Sequence, residues 1–248
     1  MEYVTLANGV KMPQLGYGVY QVTKEECERC VADALKVGYR HIDTAQSYFN
    51  EQEVGNAVKK SGIPREELFI TTKVWIEHYG YEECRKSVLE SLRKMQLDYL
   101  DLVLLHQPFA DYYGAWRALE ELYAEGKLRA IGVSNFYPDR LVDICSFSRI
   151  KPMVNQVETH PHNQQKTAHE WMNKYGVIHE AWAPFGEGRG GLVTDPLRRS
   201  AQNTARRSRR SSYVGIFSAA SSSFPNRRTS REWRKTSTCS ILRFPTRT

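Results

Sequence analysis

Short apolar segments alternate along the chain with longer amphipathic segments. The apolar segments are YRHID, LFITTKV, LDLVLLH, RAIGVSN, PMVNQVE and VIHEAWAP. Between them, segments such as YEECRKSVLESLRKMQL and YYGAWRALEELYAEGKL have apolar residues at i, i+3, i+4 and i+7, which is the spacing of an amphipathic helix. Successive strand ends are roughly 20–33 residues apart, the size of a βα unit. The pattern therefore predicts a parallel sheet whose outer side is covered by helices.

The amino-terminal segment VTLANGVKMPQLGYGVY has a different pattern. Its Asn8-Gly9 pair is a strong signal for the tight turn of a hairpin. We therefore expect a short hairpin that leads into the first strand of the sheet.

Each predicted strand ends in a polar or aromatic residue that can take part in chemistry. These residues are Asp43, Lys73, His106, Ser134 with Asn135, Gln156 and Trp182. Groups from six consecutive strand ends converge when the sheet closes into a (β/α)8 barrel, whose active face is formed by those ends. An open doubly wound sheet uses mainly the one or two strands at its switch point. The sequence therefore favours an α/β fold of the TIM-barrel type.

The strand pattern accounts for seven strands, the last near residues 176–184. After Pro196 the periodicity stops, and LRRSAQNTARRSRRSSYVGIFSAASSSFPNRRTS offers no buried helix or strand of useful length. We expect a barrel without its eighth strand and final helices, which leaves the edges of strands one and seven unpaired. The expected organisation is an incomplete barrel over 1–196 and a basic, Ser/Arg-rich, disordered-looking tail over 197–248.

The charge of the chain supports this division. The 248 residues have a formal net charge of +7. Residues 1–196 contain 22 Lys+Arg and 27 Asp+Glu, a net charge of −5, whereas residues 197–248 contain 13 Lys+Arg and one acid, a net charge of +12. The chain has no apolar run of about 18 residues and no signal-peptide pattern, so we expect a cytoplasmic protein without a membrane partner. Its five cysteines have no disulfide-framework spacing, which fits a reducing compartment.

Four side chains from successive βα units form a candidate centre for proton transfer. Lys73 ends an apolar strand and needs a carboxylate partner, for which Asp43 is the candidate. We expect the ammonium to lower the pKa of Tyr48 from about 10 towards neutrality. Tyr48 would then protonate a developing alkoxide, and His106 would orient the same oxygen. A single strand-end Lys or His is often only a structural hydrogen-bond partner, but the four types in succession favour catalysis.

The segments that carry these residues resemble the aldo-keto reductase family. The resemblance runs from about residue 3 to residue 196 and includes GYRHIDTAQSYFNEQEVGNAV, ELFITTKVW, LDYLDLVLLHQP, GKLRAIGVSNF and VNQVETHP. It points to the bacterial branch that is similar to 2,5-diketogluconate reductases. It implies an NADPH-dependent (β/α)8 enzyme that transfers a hydride from the nicotinamide to an aldehyde or ketone.

The resemblance also implies a role for each candidate residue. Tyr48 is the general acid, tuned by Lys73 and Asp43, while His106 positions the carbonyl. The cofactor-binding residues are Ser134, Asn135, Gln156 and Trp182. The first three hold the nicotinamide carboxamide, and the last stacks on the ring. The substrate-binding residues are Tyr20, Trp75 and His106. The expected partner is a small-molecule carbonyl substrate, and we expect a monomer without a metal.

The family continues with a helix, an eighth strand ending in an IPKS-like motif, and a closing helix. The IPKS segment and the basic residues after it bind the 2′-phosphate and adenosine. The tail lacks these segments, but its codons permit them after one constant shift of reading frame: AQNTARRSRRSSYVG permits AEYGKTVAQVILRW, and FSAASSSFPNR permits LQRGIVVIPKS. We therefore interpret the tail as out-of-frame translation that begins near 192–200, and we expect low activity and poor solubility.

Two other classes of function remain open. The tail has 12 Arg and one Lys in a Ser-rich segment, a composition that can bind nucleic acid through phosphate contacts. Such binding would be non-specific, and no specific nucleic-acid partner is expected. A non-catalytic barrel scaffold is disfavoured because all four residues of the candidate proton-transfer centre are present.

Overall fold

The structure, a computed structural model, describes residues 1–160 and 163–184 and the backbone of 214–218. It begins with the predicted hairpin, formed by β1 (Tyr3–Thr5) and β2 (Lys11–Pro13), which pair antiparallel. Gly9 lies in the turn with a φ of 87°, a left-handed conformation that glycine adopts without strain. The hairpin prediction is therefore confirmed.

The remaining strands are β3 (Leu15–Gly18), β4 (His41–Asp43), β5 (Phe69–Val74), β6 (Leu102–Leu105), β7 (Ile131–Ser134), β8 (Val154–Glu158), β9 (Ile178–Trp182) and β10 (Val214–Ser218). They form a closed barrel in the order β10-β3-β4-β5-β6-β7-β8-β9. All of these pairings are parallel. The predicted α/β barrel is confirmed, and each of the six apolar segments contains one of its strands.

The eighth position of the barrel differs from the expectation. The family's strand ending in IPKS is absent from the sequence, but β10, a segment of the tail, takes this position. It pairs with β3 over Gly215–Ser218 and with β9 at Val214 and Gly215. The segment VGIFS contains residues of high β-propensity, and the edges of β3 and β9 offer unpaired backbone groups to any such strand. The predicted boundary at 196 and the expected absence of the final helices lie outside the described residues.

Six α-helices accompany the described strands: α1 (Lys24–Lys36), α2 (Glu51–Lys60), α3 (Tyr81–Met95), α4 (Tyr112–Ala124), α5 (Pro138–Phe147) and α6 (Lys166–Tyr175). Helix α3 shows why these segments fold as they do. It buries Cys84, Val88, Leu92 and Met95 on one face, and its first turn is acidic while its last turn is basic, as the helix dipole favours. Within the described ranges, none of the helices is long and apolar enough to cross a membrane.

Polar side chains occupy part of the barrel interior. His41 and Asp43 share one face of β4, and Thr71 and Lys73 share one face of β5, because alternate residues of a strand point the same way. The His41 Nε2 atom lies 2.9 Å from the Thr71 hydroxyl, and the Lys73 ammonium reaches Asp43. The outer face carries Thr72, whose hydroxyl donates to a carboxylate of α2. The sequence alternation thus places a charged pair inside the barrel near its carboxyl end.

The amino-terminal end of the barrel is held by a buried carboxylate. Asp101 directly precedes β6 and accepts hydrogen bonds from Arg65 at 2.6 Å, Arg129 at 2.7 Å and the backbone N–H of Ile70 at 2.9 Å. Its side chain is fully buried, while both arginines are partly exposed. The carboxylate therefore joins the loop before β5 to the loop before β7.

Replacing Asp101 with Ala is expected to lower the free energy of unfolding by roughly 2–3 kcal/mol. The loss stays in this range because water can solvate the two partly exposed arginines once their partner is gone. Urea unfolding measures it. Asp98→Ala is the matched control, since Asp98 is exposed, and it should change stability by less than about 0.5 kcal/mol. Equal effects of the two substitutions would contradict the assigned role of Asp101.

Candidate active site

The carboxyl ends of the barrel strands surround a cleft of about 380 Å³. Nine of the ten predicted site residues line it: Tyr20, Asp43, Tyr48, Trp75, His106, Ser134, Asn135, Gln156 and Trp182. The tenth, Lys73, is buried behind the lining and contacts both Asp43 and Tyr48. The structure therefore brings all ten residues together at one end of the barrel.

Lys73 is the centre of the charged part of the site. Its ammonium donates to Asp43 Oδ1 at 2.5 Å and to the carbonyl oxygen of Thr44 at 3.0 Å, and it lies 3.4 Å from the Tyr48 hydroxyl. Burial disfavours a charge on Lys73, but the Asp43 carboxylate and the Tyr48 hydroxyl outweigh burial and raise the pKa of Lys73. The side chain therefore stays a cation in a dry environment.

Tyr48 ends a 3₁₀ helix, Gln46–Tyr48, between β4 and α2. Burial raises the pKa of its hydroxyl to about 12, and the Lys73 ammonium opposes this effect only in part because Asp43 lies beside it. The expectation of a pKa lowered towards neutrality was therefore wrong, since removal of the phenolate from water outweighs its attraction to Lys73. Tyr48 keeps its proton at neutral pH, which is the state that a proton donor requires.

His106 directly follows β6 and lies between two aromatic rings. Its ring centre is 5.8 Å from that of Tyr48 and 5.1 Å from that of Trp75, with edge-to-face geometry in both cases. The Ser47 hydroxyl lies 3.5 Å from Nδ1. Burial and the Lys73 charge lower the pKa of His106 to about 3. The imidazole is therefore neutral at physiological pH and can donate one hydrogen bond without carrying a charge.

Amide and hydroxyl groups line the cleft along β7 and β8. Asn135 has a positive φ of 62°, and its Nδ2 donates to the His106 carbonyl at 3.0 Å and to the Ser134 hydroxyl at 3.2 Å. The indole N–H of Trp182 donates to Asn135 Oδ1 at 2.9 Å. These hydrogen bonds fix the Asn135 amide and the Trp182 ring in place.

Gln156 connects the amide groups to the charged pair. Its Nε2 donates to Asp43 Oδ2 at 3.0 Å, and its backbone carbonyl oxygen accepts from the Ser134 hydroxyl at 2.9 Å. Asp43 therefore accepts from Lys73 with one oxygen and from Gln156 with the other. The two halves of the site form one hydrogen-bonded network.

Sequence reasoning missed four polar groups of this region. They are the carbonyl oxygen of Thr44, the hydroxyl of Ser47, the side-chain amide of Gln107 and the carboxyl of Glu180. Glu180 had a signal, because it is an acid in the apolar segment VIHEAWAP and lies two residues before Trp182, on the same face of the strand. Thr44 and Ser47 have no comparable signal, since their positions depend on how the chain turns after β4, and Gln107 lies beyond the end of β6.

The fold is a closed parallel barrel, and a buried ion pair, a tyrosine and a histidine lie at the carboxyl ends of its strands. These features define a class of (β/α)8 proteins whose functional site lies at that face. The sequence pattern described as the aldo/keto reductase family matches residues 6–242. The chain belongs to this family of oxidoreductases, as the sequence predicted, and the match continues beyond residue 196, where the resemblance was expected to end.

Individual relatives support this assignment. Glyoxal reductase of Bacillus subtilis (strain 168) is 51% identical over 187 residues, which are 75% of this chain and 68% of the relative. Methylglyoxal reductase DkgA of Escherichia coli (strain K12) is 42% identical over 199 residues, covering 79% of this chain and 72% of the relative.

Solved structures are similar over nearly the whole chain. An aldo/keto reductase from Brucella melitensis superimposes with a TM-score of 0.86 at 34% identity, covering 99% of this chain and 95% of that one. A Bombyx mori aldo-keto reductase in complex with NADP has a TM-score of 0.86 at 27% identity, covering 98% of this chain and 89% of that one.

The cleft has groups that fit a nicotinamide. A carboxamide needs both hydrogen-bond donors and acceptors, and the hydroxyl of Ser134 with the amides of Asn135 and Gln156 supplies both kinds at one side of the cleft. Trp182 adds a flat aromatic surface that is held by its hydrogen bond to Asn135. These are the residues that the sequence assigned to the cofactor.

Proposed function

We propose that this cleft reduces a small aldehyde or ketone to an alcohol, with NADPH as the hydride donor and Tyr48 as the general acid. The observation that carries the proposal is the Tyr48 hydroxyl, which lines the cleft and lies 3.4 Å from the buried Lys73 ammonium. When bound, a reduced nicotinamide would supply a hydride for the carbonyl carbon. Tyr48 supplies the proton to the carbonyl oxygen, which completes the alcohol.

The surrounding residues act on this proton. Lys73 stabilises the phenolate that remains on Tyr48, and Asp43 holds the ammonium in position. His106, which is neutral, donates a hydrogen bond to the same carbonyl oxygen and orients it. The rings of Tyr20 and Trp75 form walls beside Tyr48 and His106 and exclude water from the reacting oxygen.

The cofactor and substrate assignments rest on the same cleft. Ser134, Asn135 and Gln156 would hold the carboxamide, and Trp182 would offer its ring to the nicotinamide. The choice of NADPH is supported by the Bombyx mori relative, whose structure is a complex with NADP. Glyoxal and methylglyoxal are the proposed substrate class, because two bacterial relatives are named for their reduction and both molecules fit a cleft of about 380 Å³.

We also propose that residues 1–196 form the catalytic part of the barrel, and that 197–248, which include β10, are an out-of-frame tail that impairs activity. Because β10 pairs with β3 and β9, unpaired strand edges cannot be the cause of the proposed impairment. The proposal rests instead on the missing IPKS-like segment, which the family resemblance assigns to the 2′-phosphate and adenosine. The defect should therefore affect binding of NADPH more than the chemical step.

Enzyme kinetics with methylglyoxal test both parts of the proposal. The full chain is expected to oxidise NADPH with a KM for NADPH about tenfold or more above that of a chain whose reading frame is restored after residue 191, since at least one charge-assisted contact is lost. No turnover by the restored chain would contradict the reductase function. Equal KM values would contradict the impairment, and a DNA sequence without an alternative frame encoding IPKS would contradict the frameshift.

Three other expectations stay predictions. They are the monomeric state, the cytoplasmic location and non-specific nucleic-acid binding by the basic tail, which lies outside the described residues apart from β10. A salt-dependent shift in DNA mobility that is lost on deletion of 197–248 would support the nucleic-acid interpretation.

A further inference from the structure

Glu180 is a buried acid inside the barrel that the proposed proton transfer does not use. It lies in β9 and is fully buried. Because alternate residues of a strand face the same way, Glu180 points into the barrel interior with Trp182, which lines the cleft two residues later. By strict hydrogen-bond geometry neither of its carboxyl oxygens has a partner among the described residues, although the Gln156 amide lies close enough to interact with the carboxyl. A carboxyl in this position is costly to bury unless it is neutral or paired with a cation or hydrogen-bond donors.

A continuous row of side chains connects Glu180 to Tyr48. Gln156 is the direct partner of Glu180 across the β8–β9 pair. The Gln156 amide donates to Asp43 at 3.0 Å, Asp43 accepts from Lys73 at 2.5 Å, and Lys73 lies 3.4 Å from the Tyr48 hydroxyl. Glu180 is therefore separated from the ion pair by one amide side chain.

The charges around Glu180 favour its neutral form. Gln156 faces it from the neighbouring strand β8, and the charges of Asp43 of β4 and Lys73 of β5 act on it across the barrel interior. Burial and then the Asp43 carboxylate raise the pKa of Glu180 to about 8, while Lys73 and the Gln156 amide oppose this rise. On β9 itself, His179 points to the outer side of the sheet, where it contacts Thr159.

We propose that Glu180 is a positioning residue for the proton transfer at Tyr48, and that its carboxyl acts through Gln156 and Asp43 on the charge of Lys73. The proposal rests on the proposed reductase function. While Glu180 is neutral, Asp43 is the one carboxylate beside Lys73 among the described residues, and the ammonium can stabilise a Tyr48 phenolate. When Glu180 ionises, a second negative charge enters the same dry space and makes the phenolate harder to form. Reduction then slows because Tyr48 releases its proton less readily.

The pH dependence of kcat, measured with methylglyoxal at saturating NADPH, tests this role. In the unaltered chain, kcat is expected to fall by about tenfold through the ionisation of Glu180, an effect of about one pKa unit on Tyr48. Glu180→Gln keeps the shape of the side chain but cannot ionise, so its kcat should stay level over the same range. An unchanged fall in Glu180→Gln would overturn the proposal.

Glu51→Gln is the matched control. Glu51 is also a buried acid whose pKa is raised by burial, but it lies in α2 outside the barrel and accepts from the Thr72 hydroxyl at 2.7 Å. Its substitution should leave the fall in kcat in place. Loss of the fall in both variants would overturn the assignment to Glu180.

Thermal unfolding gives a second readout that does not need activity. An acid whose pKa is raised in the folded state stabilises the fold most at low pH, and this stability is lost as the pH rises from the unfolded pKa, about 4.3, to about 8. The Tm of Glu180→Gln should therefore fall by a few degrees less than that of the unaltered chain between pH 5 and 9. If reductase activity is present but Glu180→Gln and the unaltered chain have identical Tm profiles, the Glu180 proposal is overturned and the proposed function stands. Different Tm profiles without any reductase activity, including that of the chain whose reading frame is restored, would overturn the proposed function and, with it, this role of Glu180.

Discussion

Tyr48→Phe is expected to lower kcat for carbonyl reduction by about 10³-fold and to leave binding of NADPH unchanged. The substitution removes the hydroxyl that we propose as the proton donor to the carbonyl oxygen, while the ring keeps its packing against Tyr20 and His106 at centroid distances of 5.1 and 5.8 Å. His106 cannot replace the lost acid. Its pKa of about 3 keeps the imidazole neutral near pH 7, so no imidazolium proton is present to be transferred. NADPH oxidation at saturating methylglyoxal measures kcat, and fluorescence titration measures cofactor binding.

Tyr137→Phe is the control for this substitution. Tyr137 is 43% exposed and does not line the cleft, so its loss of a hydroxyl should leave kcat unaltered. If Tyr48→Phe retained the kcat of the parent chain, the proton would have to come from another group, and the general-acid assignment would fail. A raised Kd for NADPH with an unaltered kcat would instead place Tyr48 in cofactor binding.

The local sequence pattern was sufficient to predict most strands and helices of the barrel. LFITTKV and LDLVLLH are continuous apolar segments of strand length, and the helices between them have a clear helical period, so both signals agree. The segment VGIFS of β10 is equally apolar but stands alone in a polar, arginine-rich tail. Its strand conformation depends on pairing with β3 and β9, which are distant in sequence, and local pattern carries no information on such a pairing.

For the candidate site, the sequence predicted where the residues lie but not the protonation state of Tyr48. Residue type and strand-end position were enough to select Asp43, Lys73 and His106, because parallel strands bring their carboxyl ends to one face. The direction of the Tyr48 pKa shift was not accessible in this way. It results from a balance between burial and the charges of Lys73 and Asp43, and the depth of burial becomes known only from the packed structure.

Lys73→Met is expected to have the second large effect, on both stability and activity. It leaves the Asp43 carboxylate buried without its cation, and removal of one partner of a buried ion pair costs about 3–5 kcal/mol. It also removes the charge that, in the proposed mechanism, stabilises the Tyr48 phenolate, so kcat should fall by about 10²-fold or more. Urea unfolding and steady-state kinetics measure the two effects separately.

The double variant Asp43→Asn/Lys73→Met separates stability from catalysis. With both charges gone, no unpaired ion remains from this pair, and the amide that replaces the Asp43 carboxylate can still accept from Gln156, so most of the lost stability should return. The kcat should not return, because the phenolate of Tyr48 still lacks a nearby cation. Recovery of kcat together with stability would mean that the pair only supports the fold. Recovery of stability alone would assign Lys73 to the proton transfer itself, since a repaired barrel without its ammonium would then still fail to reduce the carbonyl.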